Sequence, residues 1–137
     1  MKIYKKRQCK VKSIATYEEW EFCSKLIKYS FFKYSDFNPY ELNDIKGLFL
    51  EDILIGTFTL KEINNHSIYI NYFIIEEKSR KKGLGHIFIK KIIRYLKYKK
   101  YKKIKIHSTP ELEKFYLKYN FKIIKETNNY KIMELEI

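Results

Sequence analysis

One stretch, EEKSRKKGLGHIFIKKIIRYLK at residues 76–97, limits what this chain can fold into more than any other. The residues ahead of it, from Ser67 to Glu76, are mostly β-branched or aromatic, as in a central strand. Behind it, Leu84, Ile87, Phe88, Ile92 and Leu96 lie along one face and predict a helix from about Gly83 to Tyr98. Between strand and helix stand Arg80, Lys81 and Lys82, then Gly83 and Gly85, two of only four glycines in the chain. A helix start leaves backbone N–H groups unpaired and carries the positive end of the helix dipole. Glycine lets the backbone approach an anion there with no Cβ in the way. The stretch is therefore a pyrophosphate cradle in outline. It is not the nucleoside-triphosphate loop, which needs Gly-x4-Gly-Lys-Ser/Thr. Nor is it the dinucleotide fingerprint, whose third glycine would fall where Phe88 stands.

The rest of the chain supplies elements on both sides. Thr16 with Glu19 three residues on forms a capping box, and Trp20, Cys23, Leu26 and Ile27 follow at helical spacing. This predicts a helix from about Tyr17 to Phe31, with room for a strand ahead of it. Asp36, Asn38 and Pro39 interrupt the next segment, leaving a loop with a short helical turn. Three strands in a meander follow, at about 46–50, 53–61 and 66–76, turning at Glu51-Asp52 and Asn64-Asn65. After the glycine helix come a strand at about 102–107 and a second helix opened by Thr109 and Pro110, with Leu112, Phe115, Tyr116 and Tyr119 along it. FKIIKE and YKIMELEI predict a closing hairpin around Asn128-Asn129. No repeat, linker or boundary divides the 137 residues, so one domain spanning 1–137 is expected.

Composition narrows the class. The net charge of +13 invites a nucleic-acid or membrane partner, but only three of the 29 cations are Arg, the residue whose planar fork grips phosphate best. Lys, Ile, Tyr and Asn all have AT-rich codons, so a solvated Lys-rich surface accounts for the charge. Cys9 and Cys23 make no disulfide framework, and no second pair offers a metal spacing. No apolar core of roughly 7–15 residues follows the basic N-terminus, and the apolar runs are too short to span a bilayer. A reduced cytoplasmic protein with no membrane partner is expected.

With these elements in order, Arg80-x-x-Gly83-x-Gly85 after a strand resembles the coenzyme A pyrophosphate loop of the GNAT superfamily of N-acetyltransferases, Gln/Arg-x-x-Gly-x-Gly/Ala. Phe73-Ile74-Ile75 is similar to the apolar triplet that ends that family's fourth strand. FYLKYNF at 115–121 resembles its Phe-Tyr-x-Lys-x-Gly-Phe helix, and IHSTP its Asn-Ser-Ser-Pro segment. ILIGTFTL, with Gly56, fits its third strand. The resemblance covers roughly residues 14 to 135. It departs from the family at Asn120 for Gly, at His107 for the frequent Asn, and in having no carboxylate between Ser67 and Ile75.

The resemblance implies an α/β GNAT fold: a central, twisted, mostly antiparallel sheet flanked by helices, its parallel fourth and fifth strands splayed at the cofactor site. It implies acetyl-CoA as donor and direct attack by a primary amine in a ternary complex. Phe73, Ile74 and Ile75 would pair with the pantetheine, and the N–H groups from Lys81 through Lys82, Gly83, Leu84 and Gly85 to His86 would hold the pyrophosphate. Arg80, Ser108 and Tyr116 complete the expected cofactor set. Tyr116 is the candidate acid for the leaving thiolate, and His107 the candidate base, with a water chain as the other route for the proton. Trp20, Phe31, Phe32, Tyr34, Phe37, Tyr40 and Tyr130 would wall the acceptor site. A small amine, a protein amine and an aminoacyl-tRNA all stay open as acceptors, as do a monomer and a homodimer. The competing class is a non-catalytic module that senses acyl-CoA or binds nucleic acid through its basic surface.

Overall fold

The computed structural model describes residues 4–32, 36–127 and 130–137. Its seven strands are β1 (Cys9–Ser13), β2 (Ile45–Leu50), β3 (Ile53–Glu62), β4 (Ser67–Ile75), β5 (Lys103–Ser108), β6 (Lys122–Glu126) and β7 (Lys131–Glu136). They form one mixed sheet in the order β1-β2-β3-β4-β5-β7-β6. Every neighbouring pair is antiparallel except β4–β5, which is parallel. Three helices flank it: α1 (Tyr17–Phe31), α2 (Leu84–Tyr98) and α3 (Glu113–Lys118). None of the helices described is long and apolar enough to cross a membrane.

Local chemistry sets the element ends. The Thr16 hydroxyl accepts from the Glu19 N–H at 3.1 Å, and the Glu19 carboxylate reaches back to the Ala15 N–H at 2.6 Å. The box thus closes one residue ahead of the cap. Glu51 and Asp52 both adopt left-handed backbone (φ 49° and 69°), as a two-residue hairpin turn with the twist of its strands requires. Between β3 and β4, the Asn64 carboxamide accepts from the N–H groups of His66 and Ser67 at 2.8 and 2.9 Å. Asn120 closes α3 at φ 70°, the left-handed role a glycine would fill. The segment Pro110–Leu112 is a 3-10 turn rather than the expected start of α3. There the Thr109 carbonyl accepts from Leu112 N–H, and no Thr109 side-chain cap forms. The Asn128-Asn129 turn lies outside the described residues.

The sheet has two differently packed faces. Phe58, Leu60, Ile70 and Ile106 join the buried side chains of α2 in one apolar cluster. The alternate residues Thr57 and Thr59 are buried on the other face, where α1 packs. There Cys23 bonds to Thr57, and burial pushes its thiol up to about 11. Cys9 is also free and fully buried, and its thiol is likewise raised by burial.

One irregularity shapes everything that follows. Thr57 pairs with Ile74 and Thr59 with Asn71, so β4 carries one residue more than β3 across this interval. The bulge turns Asn71 and Tyr72 to the same face. Tyr72 itself sits at φ 57°, a backbone that a bulky residue rarely adopts.

Candidate active site

The parallel pairing of β4 and β5 runs only from Ser67–Lys103 to Ile70–Ile106. Beyond it the bulge carries β4 away, and Phe73, Ile74 and Ile75 line a cleft of about 800 Å³ instead of pairing with β5. Gly56 permits this geometry. A Cβ there would stand 2.6 Å from the Ile74 carbonyl oxygen, too close for any other residue without a shift.

The floor of the cleft is the loop between β4 and α2. Arg80 Nε donates to the Ile75 carbonyl at 2.7 Å, fastening the loop to the strand end. Lys81 (φ 63°) and Gly83 (φ 76°) are both left-handed, which folds the loop tightly into the first turn of α2. Such a run directs successive N–H groups into one concavity. No side chain caps the helix, and a Cβ on Gly83 would meet nothing within 4 Å. The helix start therefore faces open space with its first N–H groups unspent. Among the described residues, none of the ion pairs involves Arg80, Lys81 or Lys82.

The far wall is α3 and the turn before it. Thr109, Glu111, Leu112 and Phe115 line the cleft, and the Phe115 ring also packs at a tilt against His86, 5.0 Å between centroids. His86 Nδ1 lies 2.5 Å from the Tyr119 hydroxyl. Leu26, Tyr29, Ser30 and Phe31 close the cleft from α1.

The expected residues divide accordingly. Phe73, Ile74, Ile75, Arg80, Lys81, Gly83, Leu84, Gly85 and His86 all line the cleft. Lys82, His107, Ser108 and Tyr116 are not among its lining residues. Lys82 is exposed, and Ser108 is buried with its hydroxyl donating to the Thr109 carbonyl. Tyr116 is 1% exposed, edge-on to Phe115 and Phe121. Burial holds its phenol well above the usual tyrosine range, and none of the described hydrogen bonds engages the hydroxyl.

His107 follows Ile106 and so faces the α1 side of the sheet, between Tyr69 and Tyr130 at 5.2 and 5.0 Å. The residue keeps an exposed side, and partial desolvation between these rings lowers its pKa from the ordinary histidine value, towards the neutral imidazole.

On that same face the Tyr72 ring contacts Phe31 and Phe32, each at 5.3 Å. Phe31 lines the cleft, whereas Phe32 and Tyr72 line a second, polar cavity of about 260 Å³ with Asp36, Glu41, Asn71 and Thr59. Tyr72 is thus the partition between the two. Sequence reasoning missed it, because a tyrosine in a β-rich run gives no sign of a bulge. Of the expected acceptor wall, Trp20 stacks on Tyr40 at 5.4 Å and Phe32 packs on Phe37 at 4.8 Å, while Tyr34 lies outside the described residues.

A splayed parallel pair, a left-handed basic loop and an open helix start define a fold class that known proteins share. The family model for the Acetyltransferase (GNAT) domain matches residues 37–132. This chain belongs to the GNAT acetyltransferase family. No curated protein matches it. Ard1 from Thermoplasma volcanium shares the fold with a TM-score of 0.76 at 12% identity, over 95% of this chain and 98% of that one. The PaiA N-acetyltransferase of Thermoplasma acidophilum, solved with coenzyme A, gives 0.72 at 14% identity, over 94% and 99%. A GNAT family acetyltransferase of Elizabethkingia anophelis, solved with acetyl-CoA, gives 0.68 at 17% identity, over 95% and 99%.

Proposed function

We propose that the chain, taken from 1 to 137 as one GNAT domain, transfers the acetyl group of acetyl-CoA to a primary amine by direct attack in a ternary complex. The observation that carries this is the start of α2, where a left-handed Gly83 presents unspent N–H groups to an open cleft beside the free edge of β4. The residues fit coenzyme A: a Cβ at Gly83 would fill the space the fold leaves open, and two of its structural relatives were solved with the coenzyme or its acetyl thioester.

Acetyl-CoA, when bound, supplies an activated acyl thioester. The chain supplies the rest. The N–H groups from Lys81 to His86 hold the pyrophosphate, with the Lys81 and Lys82 ammonium groups adding charge. Arg80 positions this loop through the Ile75 carbonyl rather than by its own contact. The unpaired edge of Phe73 to Ile75 aligns the pantetheine as an added strand would, and a backbone N–H near Ile74 or Ile75 offers a donor for charge building on the acyl oxygen. Tyr116, held protonated by burial, is the proposed proton source for the leaving thiolate. His107, neutral and on the α1 face, is the proposed acceptor of the amine proton. The amine is proposed to approach from the Tyr72 side, where the polar cavity lies across that ring from the cleft.

Calorimetric titration of acetyl-CoA into the protein tests this reading. Micromolar binding is expected, and Gly83→Val should abolish it. A β-branched residue at φ 76° costs about 1–2 kcal/mol, so the variant should stay folded by circular dichroism. Full binding by the variant, or none by the parent protein, would refute the cradle.

A further inference from the structure

We propose that His86 is an anion-coupled proton acceptor: coenzyme A enters the cleft together with a proton, which the His86 imidazole takes up. This rests on the coenzyme reading of the cleft given above.

The observations concern geometry first. His86 stands in the first turn of α2, lines the cleft with Gly83 and Lys81, and is only partly exposed. Its ring is fixed on two sides, packed at a tilt against Phe115 and held through Nδ1 by the hydroxyl of Tyr119, which caps the end of α3. The groups facing it are mostly cationic. Lys90 stands one turn on along α2 and Lys118 stands on α3, while Arg80 and Lys81 line the same cleft from the loop. Two carboxylates line the cleft as well, Glu77 from the turn after β4 and Glu111 from the turn before α3. In the free protein this surrounding disfavours an imidazolium. Desolvation, then Lys118 and Lys90, lower the His86 pKa from its ordinary value, and the positive end of α2 acts in the same sense.

An anion at the same helix end reverses that balance, because a nearby opposite charge favours the protonated ring. The partner on Nδ1 suits both states. A tyrosine hydroxyl donates to Nδ1 of the neutral ring and accepts from Nδ1–H of the cation, so the ring stays in place as it charges. In either state Nε2 carries a hydrogen and is left as a donor. Linkage then fixes the consequence. The added affinity for coenzyme A is complete below the midpoint of the free protein, where His86 is charged in both states. It falls away as pH rises from that midpoint through the midpoint of the complex, leaving the affinity for the neutral ring.

Nuclear magnetic resonance titration of the three histidine Cε1–H signals, with and without saturating coenzyme A, tests this directly. The His86 signal is the one absent from His86→Gln and displaced in Tyr119→Phe, which removes its partner. The expected midpoint lies below about 6.5 in the free protein and moves up by at least about one pH unit with coenzyme A. That shift equals tenfold tighter binding to the charged ring than to the neutral one, a ratio also readable from affinities at low and high pH. A His86 midpoint that stays put or falls while other resonances report saturation overturns the proposal and leaves the coenzyme reading intact. No response of any resonance to coenzyme A overturns both.

Discussion

Removing one oxygen atom from Tyr116 should separate binding from chemistry. The phenol is buried, its ring packs against Phe115 and Phe121, and no described hydrogen bond depends on the hydroxyl. Tyr116→Phe should therefore leave acetyl-CoA affinity unchanged and lower kcat by about 10²-fold, the low end for a lost general acid. Full activity at every pH would assign the tyrosine to packing alone. His86 and His107 carry a second residue-scale expectation. Both have lowered pKa values in the folded state, so the unfolded chain binds more protons in the histidine range. Stability should rise with pH from about 5 to 7, and His107→Gln should flatten part of that rise in urea melts taken across the range. Gly83 was legible in the sequence because glycine is so scarce here and sits where a strand hands over to a helix. Arg80 was legible as part of the loop, but its bond to the Ile75 carbonyl was not, since a backbone acceptor leaves no mark in sequence.

At the scale of elements, β4 decides the site. Its bulge ends the pairing with β5, and Gly56 on β3 lets the Ile74 carbonyl come close enough for the bulge to form. Gly56→Ala should cost about 1–3 kcal/mol and weaken acetyl-CoA binding in parallel, measured as a lower thermal midpoint and a higher Kd. Lost stability with unchanged affinity would mean that the splay does not need this contact. The helices and most strands were readable beforehand: α1 runs from Tyr17 to Phe31 as its caps and spacing predict, and α2 starts one residue after Gly83. The bulge was not readable. Tyr72 is a good strand former, and its left-handed backbone goes with a register shift against β3 that a run of strand-favouring residues does not signal. α3 is shorter than its sequence suggests, because Pro110–Leu112 form a 3-10 turn ahead of it.

Over the whole molecule, charge is unevenly spread. The stretch from Thr16 to Asp44 holds six carboxylates against three lysines, in a chain of net charge +13. The loop ahead of α2 is cationic instead, so an anionic coenzyme and a cationic amine would be drawn to different regions. Acetyl-CoA affinity should fall only several-fold between about 50 and 500 mM salt, since backbone N–H groups do much of the holding. A loss of roughly 10³-fold or more, together with tight binding of RNA, would instead favour the nucleic-acid module. The buried cysteines have a bearing on turnover as well. A catalyst of this kind releases a free thiol at every cycle, and an exposed cysteine thiolate beside that product would invite a mixed disulfide under mild oxidation. Cys9 and Cys23 are buried on opposite faces of the sheet with their thiols held protonated, so the product finds no exposed thiol on the described chain with which to exchange.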